Sequence, residues 1–110
     1  MIMAAIQLKT IEGVIRSRLK SLGYFNIEIR NEHERSFNVI ADGNLRKIFL
    51  LVVIYLVSEH IKNLTDEEIK EIKETATNIE KEPWAAVMKV NERGELVDDI
   101  KWTNLSKLPA

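Results

Sequence analysis

Any chemistry in this chain would have to come from carboxylates, hydroxyls, two histidines and scattered cations, because its 110 residues include no Cys. That absence removes disulfides, thiolate zinc sites and Cys nucleophiles together, and fits a reducing cytoplasm. His33 stands between Glu32 and Glu34, and Glu59-His60 forms a second pair of metal-capable side chains. Neither has a partner at a spacing that ligand sets use, and in short polar stretches a solvated cluster is the commoner outcome. Asp42 could lend an oxygen to a site around Asn38, but along an extended strand the two stand ~13 Å apart. Opening the Asp42-Gly43-Asn44 turn is its better role. No glycine-rich phosphate loop, nucleophile elbow or HExxH pattern occurs. The cations placed to touch phosphates are Lys9, Arg16, Lys20, Arg46 and Lys47, although Glu12 lies one helical turn before Arg16 and is placed to pair with it. Trp84 and Trp102 lie in apolar strand contexts and read as core or interface residues before base-stacking platforms.

These residues need a scaffold, and the hydrophobic pattern supplies one. Leu8, Ile11, Val14, Ile15, Leu19 and Leu22 recur at helical spacing over Ala5 to Leu22, which predicts an amphipathic helix ending at Gly23. Tyr24 to Arg30 alternates as a first strand, Asn31 to Glu34 reads as a turn, and Arg35 to Ala41 is a second strand. After the hairpin turn, Lys47 to Val57 is a third strand. Thr65 followed by Glu68 is a capping box, and Ile69, Ile72, Ala76 and Ile79 carry a second helix to about Lys81, before Pro83. Trp84 to Asn91 and Glu95 to Leu105 are predicted as two more strands, with Gly94 in the left-handed position of their turn. The expected order is α-β-β-β-α-β-β, with the second helix crossing over to make a parallel pair.

The third strand is unusual in being apolar on both faces. Phe49, Leu51, Val53 and Tyr55 share one side, and Leu50, Val52, Ile54 and Leu56 share the other. Both sides need a cover, supplied either by the chain's own helices or by a homodimer or protein partner.

Composition sets the outer bounds. One domain over residues 1–110 is expected, with 45% hydrophobic and 30% charged residues in globular balance. The 16 Lys+Arg against 17 Asp+Glu leave a net charge of -1, so any nucleic-acid contact must be local. The run from Ile48 to Val57 falls far short of the ~20 residues of a membrane helix, so no membrane contact is expected. The apolar stretch from Met1 to Leu8 lacks a preceding basic region and reads as the start of the first helix, not as a signal peptide.

An opening helix, three antiparallel strands, a helix and a returning strand resembles the core of the PD-(D/E)XK, or restriction-endonuclease-like, nuclease superfamily, and especially its small resolvase-like members. In that family an acid on the first helix, an Asp on the second strand and a Glu or Gln two residues before a Lys on the third strand converge on one divalent metal. Carried onto this chain, those positions are Glu12, Asn38, Leu51 and Val53. Only Glu12 keeps the required chemistry: Asn38 is neutral, and Leu51 and Val53 offer neither ligand oxygen nor ammonium. The resemblance therefore implies a degenerate nuclease-like domain with no catalytic residues, no metal and no cofactor. Such a domain would act by binding protein or nucleic acid, as a homodimer or as a subunit of a DNA-processing or mobile-element system. Two alternatives stand beside it: an active Mg²⁺-dependent nuclease with relocated ligands, and a small α/β protein-interaction domain unrelated to nucleases.

Overall fold

The computed structural model describes residues 8–33 and 35–108. Two helices flank a five-stranded mixed sheet. In chain order the elements are α1 (Leu8–Ser21), β1 (Phe25–His33), β2 (Ser36–Asp42), β3 (Lys47–Leu56), α2 (Asp66–Asn78), β4 (Glu82–Val90) and β5 (Lys101–Asn104), followed by a 3-10 turn over Leu105–Lys107. The strands lie side by side as β1-β2-β3-β4-β5. The β3–β4 pair is parallel and the other three pairs are antiparallel. The expected start of the first helix at Ala5 lies outside the described residues.

Both faces of β3 are put to use. Its even-numbered residues Ile48, Leu50, Val52 and Ile54 join Phe37, Val39 and Ala41 of β2 and Ala86, Met88 and Val90 of β4 in the larger core, which α1 closes with Ile11, Ile15 and Leu19. The opposite face carries Phe49, Ala85 and Leu105 against Ile69, Ile72 and Ala76 of α2. An apolar run bounded by charges thus becomes a central strand buried from two sides.

Helix ends show how local chemistry sets boundaries. The Thr65 hydroxyl accepts from the Glu68 N–H at 3.1 Å, and the Glu68 carboxylate accepts from the Thr65 N–H at 2.8 Å, completing the expected capping box. Each helix stops in a Schellman turn. The Tyr24 N–H returns to the Leu19 carbonyl in one, and the Lys81 N–H to the Ala76 carbonyl in the other. The left-handed residue is Gly23 in the first (φ 93°) but Glu80 in the second (φ 57°). The second helix therefore ends at Asn78 rather than near Lys81, and Pro83 sits inside β4 instead of before it. Because a side chain in the left-handed region costs on the order of 1 kcal/mol, Glu80→Gly is expected to stabilise the fold by a few tenths to about 1 kcal/mol. Gly23→Ala is expected to cost about 1 kcal/mol. Urea denaturation of the two variants checks both signs.

The last strand is shorter than its sequence pattern implies. Gly94 adopts the expected left-handed conformation (φ 82°), and Val90 bridges Leu96 just after the turn. Regular pairing resumes only with Lys101 opposite Val87. Five residue steps separate Leu96 from Lys101 where three separate Val87 from Val90, so two extra residues are accommodated. Asp98 and Asp99 lie exposed in this stretch. Because the insert is even, the alternation survives and Ile100 still reaches the larger core.

Candidate binding cleft

The two faces of the sheet are not covered equally. Over the α1 face, Leu50, Val52 and Ile54 are at most 1% exposed. On the α2 face the helix touches the sheet around Phe49, Ala85 and Leu105, while Leu51, Val53 and Val87 remain half-buried. The result is a cleft of about 1000 Å³ between α2, the segment following β3 and the sheet. Its floor is Leu51, Val53 and Val87, flanked by Asn38 and Ser36 on β2 and Thr103 on β5.

Three of the four positions that the resemblance singled out meet here. Asn38 lies directly opposite Leu51 in the β2–β3 ladder, and Val53 lies opposite Ser36 on the same face. The Asn38 amide opens into the cleft with no hydrogen-bond partner among the described residues. Glu12 does not line the cleft. It rides on α1, which packs on the other face of the sheet, and faces Arg16 at 3.8 Å, the pairing that its spacing implied. A first-helix acid converging with the three strand positions, as the family pattern implies, is therefore not part of this cleft.

The wall above β3 is held by two tethers. One guanidinium nitrogen of Arg35, Nη1, donates to both carboxylate oxygens of Glu59, and the Glu59 carboxylate also accepts from the Leu56 N–H at 2.7 Å. The Tyr55 hydroxyl reaches Lys62, donating to its carbonyl and accepting from its N–H, both at 3.2 Å. Together they fold the segment after β3 back over the cleft toward the start of α2. Sequence reading missed Arg35, Tyr55 and Lys62, because partners separated by 24 and 7 residues leave no local signature.

The other candidate residues resolve into structural roles or remain solvated. Glu59 is occupied by Arg35, so the Glu59-His60 pair is not a free ligand set, and His60 itself is exposed. His33 and its neighbours Glu32 and Glu34 lie where the side chains fall outside the described residues. Asp42 closes β2 and binds Lys81 at 2.8 Å and Asn26 at 3.2 Å. Arg16 donates to the Ile27 carbonyl at 3.1 Å. Arg46 stands 5.4 Å over the Trp84 ring and 3.3 Å from Glu82. Lys9, Lys20 and Lys47 are exposed, the first two on α1 and the third on β3. Trp84 and Trp102 pack at the margin of the larger core. Among the described residues, no three His, Asp or Glu side chains gather as metal ligands.

Two of these contacts carry a pH dependence. Hydrogen bonding from Arg35, then from the Leu56 N–H, holds Glu59 below its ordinary value of 4.5, and Lys81 with Asn26 holds Asp42 below 3.8. A carboxyl group that binds protons less readily when folded contributes stability fully above its unfolded pKa and loses it as pH falls through the folded one. The melting temperature is thus expected to fall on acidification below about pH 4.5. Glu59→Gln is expected to flatten that acid limb, as followed by circular dichroism across the titration.

Comparison of the chain with family models, with curated proteins and with solved structures returned no match. No helix among the described residues is long and apolar enough to cross a membrane.

Proposed function

We propose that this chain is a non-catalytic, nuclease-like binding domain that takes an apolar segment of a protein partner into the cleft between α2 and the sheet. The observation that carries this reading is the floor: the positions where a nuclease would hold metal ligands and lysine bear Leu51 and Val53, half-buried in a cleft of about 1000 Å³. Mostly apolar clefts with a few convergent polar groups are what binding sites are made of, and here Asn38, Ser36 and Thr103 supply the polar set.

Mixed charge at the rim favours protein over nucleic acid. Lys62 and Arg35 stand among Glu59, Glu68 and Glu71. Phosphate backbones are held by clustered cations that release counterions, which this rim does not provide. The exposed Lys9, Lys20 and Lys47 are spread over two elements and offer no such cluster either. The order α-β-β-β-α-β-β, with β3 parallel to β4, supports the nuclease-like ancestry within that reading. A cytoplasmic setting is supported by the absence of Cys.

Selection of random peptides displayed on phage against the folded domain tests the proposal. The expected binders are rich in apolar residues, with binding abolished by Leu51→Glu and indifferent to Lys9→Glu. Failure to recover any peptide sensitive to Leu51→Glu overturns it, as does salt-sensitive DNA binding lost on reversing Lys9, Lys20 and Lys47.

A further inference from the structure

The segment that joins β3 to α2, Val57 to Leu64, forms one wall of the cleft through Ile61, Lys62, Asn63 and Leu64. Little apolar contact holds it there. Leu64 packs against the smaller core, but Val57 is 51% and Ile61 37% exposed. A stretch with so little burial keeps its place chiefly through polar bonds.

Those bonds have their fixed ends on the sheet. Tyr55 belongs to β3, and the Arg35 carbonyl accepts from the Ile54 N–H at 2.9 Å, so both tethering residues are fastened to the same strand. Their partners on the segment, the Glu59 carboxylate and the Lys62 backbone, stand three residues apart, and neither His60 nor Ile61 between them is buried. At its two ends the segment is closed by the Val57 N–H bond to the Val90 carbonyl at 3.0 Å and by the capping box at Thr65. Two partly exposed tethers between two fixed ends leave a stretch able to lift without disturbing the sheet.

We propose that Val57 to Leu64 is a strap that opens as a unit when its two tethers release, and that this opening admits the partner's apolar segment to the cleft. The inference rests on the cleft being a binding site and adds how access to it is controlled. Hydrogen bonds in partly hydrated positions stabilise modestly, each by about a factor of 5 to 10 in an equilibrium. Opening is therefore reached far more often than unfolding of the strands beneath. The tethers also act on each other: with one removed, the other alone holds a stretch that has little else to keep it down. Once lifted, the strap uncovers more of Val53 and Tyr55, which share the cleft face of β3.

Amide hydrogen exchange followed by NMR tests the strap without any ligand. In the natural chain the Leu56 and Lys62 amides, one at each tether, are expected to exchange with similar protection and at least about 100-fold faster than those of Leu50 and Val52 in the core. Tyr55→Phe leaves the Leu56 N–H bond to Glu59 in place, and Glu59→Ala leaves the Lys62 N–H bond to Tyr55 in place. Each variant is nevertheless expected to speed exchange at the other tether about 5- to 10-fold. Amides that respond only to loss of their own partner, or that open only with Leu50, overturn the proposal. The gate is read with the apolar dye 8-anilinonaphthalene-1-sulfonate by stopped-flow fluorescence. The dye is expected to bind the natural chain, to lose binding with Leu51→Glu, and to associate about 5- to 10-fold faster with Tyr55→Phe. Absent dye binding, or binding indifferent to Leu51→Glu, overturns the cleft as a site and the gate with it. Binding that needs Leu51 yet is no faster in Tyr55→Phe overturns the gate alone.

Discussion

Leu50→Glu is expected to abolish folding, whereas Leu51→Glu, one residue along the same strand, is expected to yield a folded domain that no longer takes up the proposed apolar segment. Leu50 is 0% exposed in the core beneath α1. Placing an ionised carboxylate there without a partner costs several kcal/mol, a large part of the 5–15 kcal/mol that holds a typical domain together. Leu51 lies on the cleft floor, where a carboxylate can remain hydrated and the burial lost is only partial. Truncation separates the two sites as well: Leu50→Ala is expected to cost about 2–5 kcal/mol and Leu51→Ala on the order of 1 kcal/mol. Urea denaturation gives both numbers. Equal costs would show that the cleft is closed in solution, and would remove the basis for partner binding there.

The second large effect is a gain. Replacing Asn38→Asp, Leu51→Glu and Val53→Lys together is expected to create divalent-cation binding that the natural chain lacks, as measured by Mg²⁺ and Mn²⁺ titration calorimetry. Asn38 and Leu51 are directly paired across β2 and β3. Side chains so placed have Cβ atoms about 4.5–5.5 Å apart, close enough for two carboxylates to share one ion. Val53 follows two residues on, on the same face, where a lysine would stand roughly 7 Å along the strand. DNA cleavage by the triple variant would support descent from a nuclease, whereas cation binding alone follows from the cross-strand spacing. A triple variant that folds yet binds no cation would leave the domain as an interaction module without that ancestry. Cleavage by the natural chain, abolished by Glu12→Gln, would establish relocated catalysis instead.

Much of this structure was legible in the residues, and the reasons are local. Helical spacing located α1 and α2, the Thr65 and Glu68 pair marked where α2 begins, and Gly94 marked its turn, because caps and turns are made between residues a few positions apart. Alternation of apolar residues assigned each side chain of β3 to a face, because strand geometry allows nothing else. The extra residues around Asp98 and Asp99 were not legible, since a shift in pairing depends on what the neighbouring strand offers.

Sequence alone therefore determined which elements form, their order, and that β3 is apolar on both sides. Only the tertiary structure decided that α1 seals one face while α2 leaves the other open at Leu51 and Val53. It also decided that Glu12 stays with Arg16, that Arg35 clamps Glu59, and that Leu45 projects into solvent. The physical reason is that periodicity specifies which side of an element is apolar. How closely a helix seats on a sheet depends instead on contacts between residues far apart in the chain, settled only when all of them pack together.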